Sequence, residues 1–143
     1  MGKGNQSNWK TPSCQVTQGM IRIYKPKDMC WLGYKLTRSN GLTYHHIIKA
    51  EHGGLRTFDN GGLLTNIGHQ YVHIIEYRDL EIYVRLNQIF QIINNQKHKP
   101  TLEQYKQLND LLKCFEKDHK KDTNGKGKVL IKQQYYNREI YNL

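Results

Sequence analysis

The chain has 143 residues, of which 37% are hydrophobic, enough for one ordinary domain with a real core. Twenty-two Lys and Arg stand against twelve Asp and Glu, a net charge of +10. No apolar run reaches the ~20 residues that span a bilayer. Residues 1–6 hold no apolar stretch of a secretory signal, and Gln6 stands where a myristoylation motif needs Ser or Thr. Cys14, Cys30 and Cys114 are too few and too scattered for a disulfide framework or a CxxC zinc site. The expectation is a soluble, cytoplasmic, basic protein.

In chain order, residues 1–15 are polar and read as a disordered tail. Met20–Tyr24 and Trp31–Thr37 are β-leaning. Ser39-Asn40-Gly41 signals a hairpin turn before a strand at Leu42–Ile48. Gly53-Gly54 and Gly61-Gly62 mark a loop with tight backbone passages over 49–62, and Leu63–Thr65 reads as a short returning strand. Val72, Ile75, Leu80, Tyr83, Leu86, Phe90 and Ile93 then recur at helical steps. No Gly or Pro interrupts residues 69–95, which predicts one long amphipathic helix ending near Asn94-Asn95. Thr101, with Gln104 three residues on, is a capping box for a second helix. Its apolar face is Leu102, Tyr105, Leu108, Leu112 and Phe115, and the two helices most simply form an antiparallel pair. Residues 119–143 form a basic tail, with a Gly/Lys-rich break at Asp122–Lys128. The basic charge is in the flanks: residues 1–39 carry net +6, residues 40–95 net −1 and residues 96–143 net +5. That distribution suits a polyanionic partner, although solvated surface charge explains it as simply.

Five of the seven histidines lie between positions 45 and 73. At a helix start, His69 and His73 are four apart and project from one face. A strand beside that helix can bring His45 to the same point. His45 and His46 are adjacent in a strand and point to opposite sides, so one can ligate while the other faces a substrate. Up to three imidazoles with open positions is what a catalytic metal site requires.

The stretch Tyr44–His73, YHHIIKAEHGGLRTFDNGGLLTNIGHQYVH, resembles the HNH endonuclease family. The matching features are the His45-His46 pair, the Gly53-Gly54 loop, Asn60, and the helix start carrying His69 and His73. The resemblance covers about thirty residues. It implies an α+β fold with a ββα-metal core at 16–118, here extended by a long helix pair and mainly helical overall. It implies His45, His69 and His73 as metal ligands, and His46 as the general base that takes a proton from water. Asn60 would orient that base and brace the loop. Cysteines that hold a structural zinc in many relatives are replaced here by Thr65 and Gly68, so that zinc is not expected. The implied cofactor is one divalent ion, Mg²⁺ or Mn²⁺ in use, with Zn²⁺ or Ni²⁺ also suited to imidazole ligands. The implied reaction is phosphodiester hydrolysis in DNA leaving a 5′-phosphate; the motif does not separate DNA from RNA.

Candidate phosphate contacts are Lys25, Lys27, Lys35, Lys49 and Arg56, with Lys120, Lys121, Lys126 and Lys128 in the tail. His52, His98 and His119 match no motif position, and Tyr71, Tyr77 and Tyr83 suit packing better than base stacking. A homodimer through the long helix is a further expectation. Packaging, homing, restriction and defence are the settings in which such domains occur. The main alternative is a catalytically silent module that binds nucleic acid or protein and uses the metal as a staple. A toxin-like ribonuclease and a three-histidine zinc hydrolase are the remaining rivals.

Overall fold

The computed structural model describes residues 14–119. Of the expected tails at 1–15 and 119–143, residues 1–13 and 120–143, with their lysines, lie outside the described residues, while Gln15 opens a helix. Among the described residues are four α-helices and one two-stranded antiparallel sheet: α1 Gln15–Tyr24, β1 Leu42–His46, β2 Gly61–Thr65, α2 Asn66–Arg78, α3 Leu80–Gln96 and α4 Leu102–Asp118. The fold is α+β and mainly helical, as expected. No described helix is long and apolar enough to cross a membrane.

The β-leaning stretch Met20–Tyr24 is the end of a helix. Thr17, Met20, Ile21 and Tyr24 are buried, an i, i+3, i+4, i+7 stripe that begins upstream of Ile21 and Ile23. Lys25 ends α1 in the left-handed region (φ 50°) with its N–H on the Ile21 carbonyl. The Tyr24 hydroxyl donates to the Asn94 carbonyl at 2.7 Å, tying α1 to α3. Trp31–Thr37 is no strand either. Residues 30–34 are buried without alternation, and only isolated bridges join Met29 to Lys35 and Thr37 to Asn40. The expected turn starts earlier than Ser39: Thr37 and Asn40 exchange both backbone hydrogen bonds around Arg38-Ser39.

The ββα segment keeps the expected order with shifted limits. β1 stops at His46 because Ile47 and Ile48 bond to Asn60 rather than to a strand. β2 starts two residues before Leu63. Its register sets Gly62 opposite His45 and Gly61 opposite His46. A Cβ on Gly61 would come within 2.5 Å of the Tyr44 ring and 2.8 Å of the Met20 sulfur, so only glycine lets α1 and Tyr44 close over β2. Thr65 caps α2, its hydroxyl accepting from the Gly68 N–H at 3.1 Å.

The single long helix of the sequence reading is two helices. Asp79 ends α2 with its N–H on the Ile75 carbonyl at 2.7 Å, and its carboxylate caps α3 by accepting from the Ile82 N–H at 3.2 Å. An Asp N-cap breaks the helix without Gly or Pro. The dimer expectation rested on that helix's length and loses its support. Leu80 and Leu102 each open a helix and are exposed, not on the buried faces assigned to them. The capping box at Thr101 and Gln104 is present. α3 and α4 run antiparallel: Gln96 bonds Gln104 at one end, and His119 bonds Asp79 at the other. His119 is therefore a structural partner rather than a bystander in a lysine-rich surface.

The core lies between α1, the sheet, α3 and the inner faces of α2 and α4. Trp31 sits edge-on to Tyr24 at 5.0 Å and 6.1 Å from Phe90. Leu63, Leu64, Val72, Ile75, Leu86, Ile93, Leu108 and Phe115 are fully buried, each contributing roughly 1.5–3 kcal/mol of transfer free energy. Tyr71 and Tyr83 pack there, but Tyr77 is 85% exposed and does not.

Candidate metal centre

Strand alternation separates the two adjacent histidines. His45 turns inward toward α2 and α3 and is 1% exposed; His46 turns to the other side with Tyr44 and stays half-buried. Residues 69 and 73, one helical turn apart at the start of α2, stack their rings at 4.7 Å. The His45 ring lies 5.4 Å from His69 and 6.3 Å from His73. Two imidazoles on one ion at ~2.1 Å have ring centroids roughly 4.5–5.3 Å apart. His69 is thus near ligand spacing to both neighbours. The His45–His73 gap is wider, and no three His, Cys, Asp or Glu side chains among the described residues are set for a metal as they stand. His73 has room to turn, because half of its side chain is exposed.

The chemistry of the cluster suits a divalent ion. Burial, with smaller repulsion from His69 and His73, pushes the His45 pKa down to about 4, against the partial support of its bond to Asn87. Burial and then the neighbouring His73 bring His69 to about 4 as well. Both rings are neutral at pH 7 and hold a lone pair for a metal. His45 Nδ1 is buried with no hydrogen-bond partner, and a buried polar atom left alone costs free energy. A metal at the cluster would give it one.

Three residues that the sequence reading missed hold these rings. Asn87 Oδ1 meets His45 Nε2 at 2.8 Å, Thr43 Oγ1 meets His69 Nδ1 at 2.8 Å, and Glu76 Oε1 meets His73 Nδ1 at 3.2 Å. Asn87 falls on the α3 face of Tyr83 and Phe90, which flank His45 at 6.5 and 5.5 Å. A polar residue inside an apolar stripe was the available signal.

Asn60 is 8% exposed and braces the loop between the strands. Its Oδ1 accepts from the Ile48 N–H at 2.7 Å, and its Nδ2 donates to the carbonyls of Ile48 at 2.9 Å and Leu55 at 3.0 Å. These bonds go to the backbone two residues past His46 and to the loop, rather than to the His46 ring. Gly54 completes the brace: a Cβ there would stand 1.8 Å from the Ile48 oxygen and 2.8 Å from Asn60 Nδ2.

His46 packs edge-on to the Tyr44 ring at 4.9 Å. Burial, then the positive charge of Arg56, lowers its pKa. Arg56 lies over the same Tyr44 ring, 4.9 Å from its centroid, so one candidate phosphate contact stands beside the candidate base. Lys49, partly exposed, is paired with Glu76 at 2.6 Å and Glu51 at 3.8 Å. Lys25, Lys27 and Lys35 are exposed between α1 and β1. His52 and His98 are exposed too. No family model matches the chain, and no curated protein or solved structure matches it.

Proposed function

We propose that the chain is a metal-dependent HNH-type endonuclease acting on DNA, with His46 as general base. The observation that carries the reading is the gathering of the His45, His69 and His73 rings, with His45 Nδ1 buried and without a hydrogen-bond partner. The Asn60 brace and the opposite-facing His46 support it. His45, His69 and His73 would hold one divalent ion, Mg²⁺ or Mn²⁺ in use and Zn²⁺ or Ni²⁺ by ligand type. Such an ion supplies Lewis acidity at a phosphate and positive charge for a leaving oxygen.

The protein's own groups do the rest. His46, held neutral by burial and by Arg56, takes a proton from the attacking water on its free imidazole nitrogen. Arg56, fixed over Tyr44, offers its guanidinium to a phosphate next to that nitrogen. Asn60 keeps the chain after His46 in one conformation, so the base stays aimed while the substrate binds. The basic flanks add attraction for the phosphate backbone without reading sequence.

The test is cleavage of end-labelled DNA and RNA oligonucleotides with and without EDTA. The reading expects EDTA-sensitive scission of DNA leaving a 5′-phosphate. Intact DNA in the presence of folded, metal-loaded protein contradicts it and favours the silent binding module.

A further inference from the structure

We propose that Asn87 on α3 is a positioning residue that fixes the His45 ring with Nδ1, not Nε2, as its metal-binding nitrogen. This rests on the metal reading above and adds which atom ligates and what selects it.

An amide oxygen only accepts, so the 2.8 Å contact between Asn87 Oδ1 and His45 Nε2 puts the ring's proton on Nε2. A neutral imidazole has one N–H, which leaves the lone pair on Nδ1. That is the buried nitrogen with no partner. The other two rings, as they stand, have Nδ1 engaged instead. The Thr43 hydroxyl donates to the Leu64 carbonyl at 2.8 Å, so its single hydrogen is committed and Oγ1 accepts from His69 Nδ1–H. Glu76 accepts from His73 Nδ1–H, while its other oxygen holds Lys49. His69 and His73 therefore present Nε2. The set is one Nδ1 from the short reach of a strand beside two Nε2 from the longer reach of a helix. α3 lies beyond the thirty residues of the motif, and through Asn87 it reaches into the site.

The test has two parts on the full chain. In metal-free protein, ¹H–¹⁵N correlation of the imidazoles should show His45 as the Nε2–H tautomer, and adding Zn²⁺ should shift its Nδ1 resonance. Zn²⁺ affinity, read by competition with a chelating dye, should fall about 10–100-fold in Asn87→Leu. Asn87→Asp, which keeps the accepting oxygen, should retain wild-type affinity or exceed it. An Nδ1–H tautomer at His45, or Zn²⁺ binding unchanged in Asn87→Leu, overturns the assignment. The wild-type spectra decide the matter even where Asn87→Leu does not fold. A wild-type chain with the expected tautomer that takes no Zn²⁺ overturns the metal reading and the ligand role together, while the hold of Asn87 on the ring stands. Zn²⁺ binding with the opposite tautomer overturns only the role of Asn87.

Discussion

Replacing Asn60 with alanine removes the three bonds that tie the loop between the strands to the end of β1. Each is worth about 1 kcal/mol net, and each backbone group left dry adds more. Ile48 is 52% exposed and Leu55 70%, so water reaches part of what the side chain leaves behind. The expected loss is therefore roughly 2–4 kcal/mol rather than the larger sum for a sealed site. At roughly 4 °C per kcal/mol, Tm should fall by about 8–16 °C. Asn60→Asp should fall between wild type and alanine, since it keeps the acceptor for the Ile48 N–H and loses both donations. Urea and thermal melts of the three proteins, followed by far-UV circular dichroism, give these differences. Cleavage by Asn60→Ala should drop even below its melting point, because the chain after His46 is no longer held. An alanine variant that melts within about 2 °C of wild type would refute the bracing argument.

Gly54→Ala should unseat the same loop, since its Cβ meets backbone at 1.8 Å, whereas Gly53→Ala meets nothing and bears only the strain of φ 90°. The first should cost several kcal/mol and the second about 1–2 in urea melts. Asn94 is fully buried and donates to the Phe58 and Gly61 carbonyls at 2.6 and 2.8 Å. Asn94→Leu strands both, so it should destabilise by about 2–4 kcal/mol in the same assay. Acid should weaken the metal-free protein. The His45 pKa lies at about 4 in the fold against about 6.5 in the unfolded chain, so the unfolded state binds more protons between those values. Stability is full above pH 6.5 and declines toward pH 4, with His45 accounting for roughly 3 kcal/mol at most. Melts across pH 4–7 should show that decline, and His45→Leu should make it shallower, with His69 carrying the remainder.

The local features in the sequence were legible where one residue type had one physical use. The ββα order, the capping box at Thr101 and the inward turn of His45 follow from alternation, turn residues and capping chemistry. α1 was misread because a five-residue window around Ile21 and Ile23 hides a stripe that starts at Thr17. The break at Asp79 carries no Gly or Pro; there an acid closes one helix and caps the next. Asn87 showed only as a polar residue in an apolar stripe, and Glu76 not at all. Their roles depend on how α3 and α2 pack against β1, and spacing along the chain does not encode which helix face meets which ring. Lys49 shows the limit of reading charge alone, since its partner Glu76 lies 27 residues away.

The central claim is that His46 is the base of a metal-dependent nuclease. Supercoiled plasmid incubated with purified protein in EDTA, Mg²⁺, Mn²⁺, Ni²⁺ or Zn²⁺, beside His46→Ala, tests it most directly. Wild type should nick or linearise the plasmid with metal and not with EDTA. His46→Ala should bind Zn²⁺ as wild type does and cleave about 10²–10⁴-fold more slowly. Undiminished cleavage by His46→Ala, or an intact plasmid with every metal and a folded, metal-loaded protein, would contradict the account.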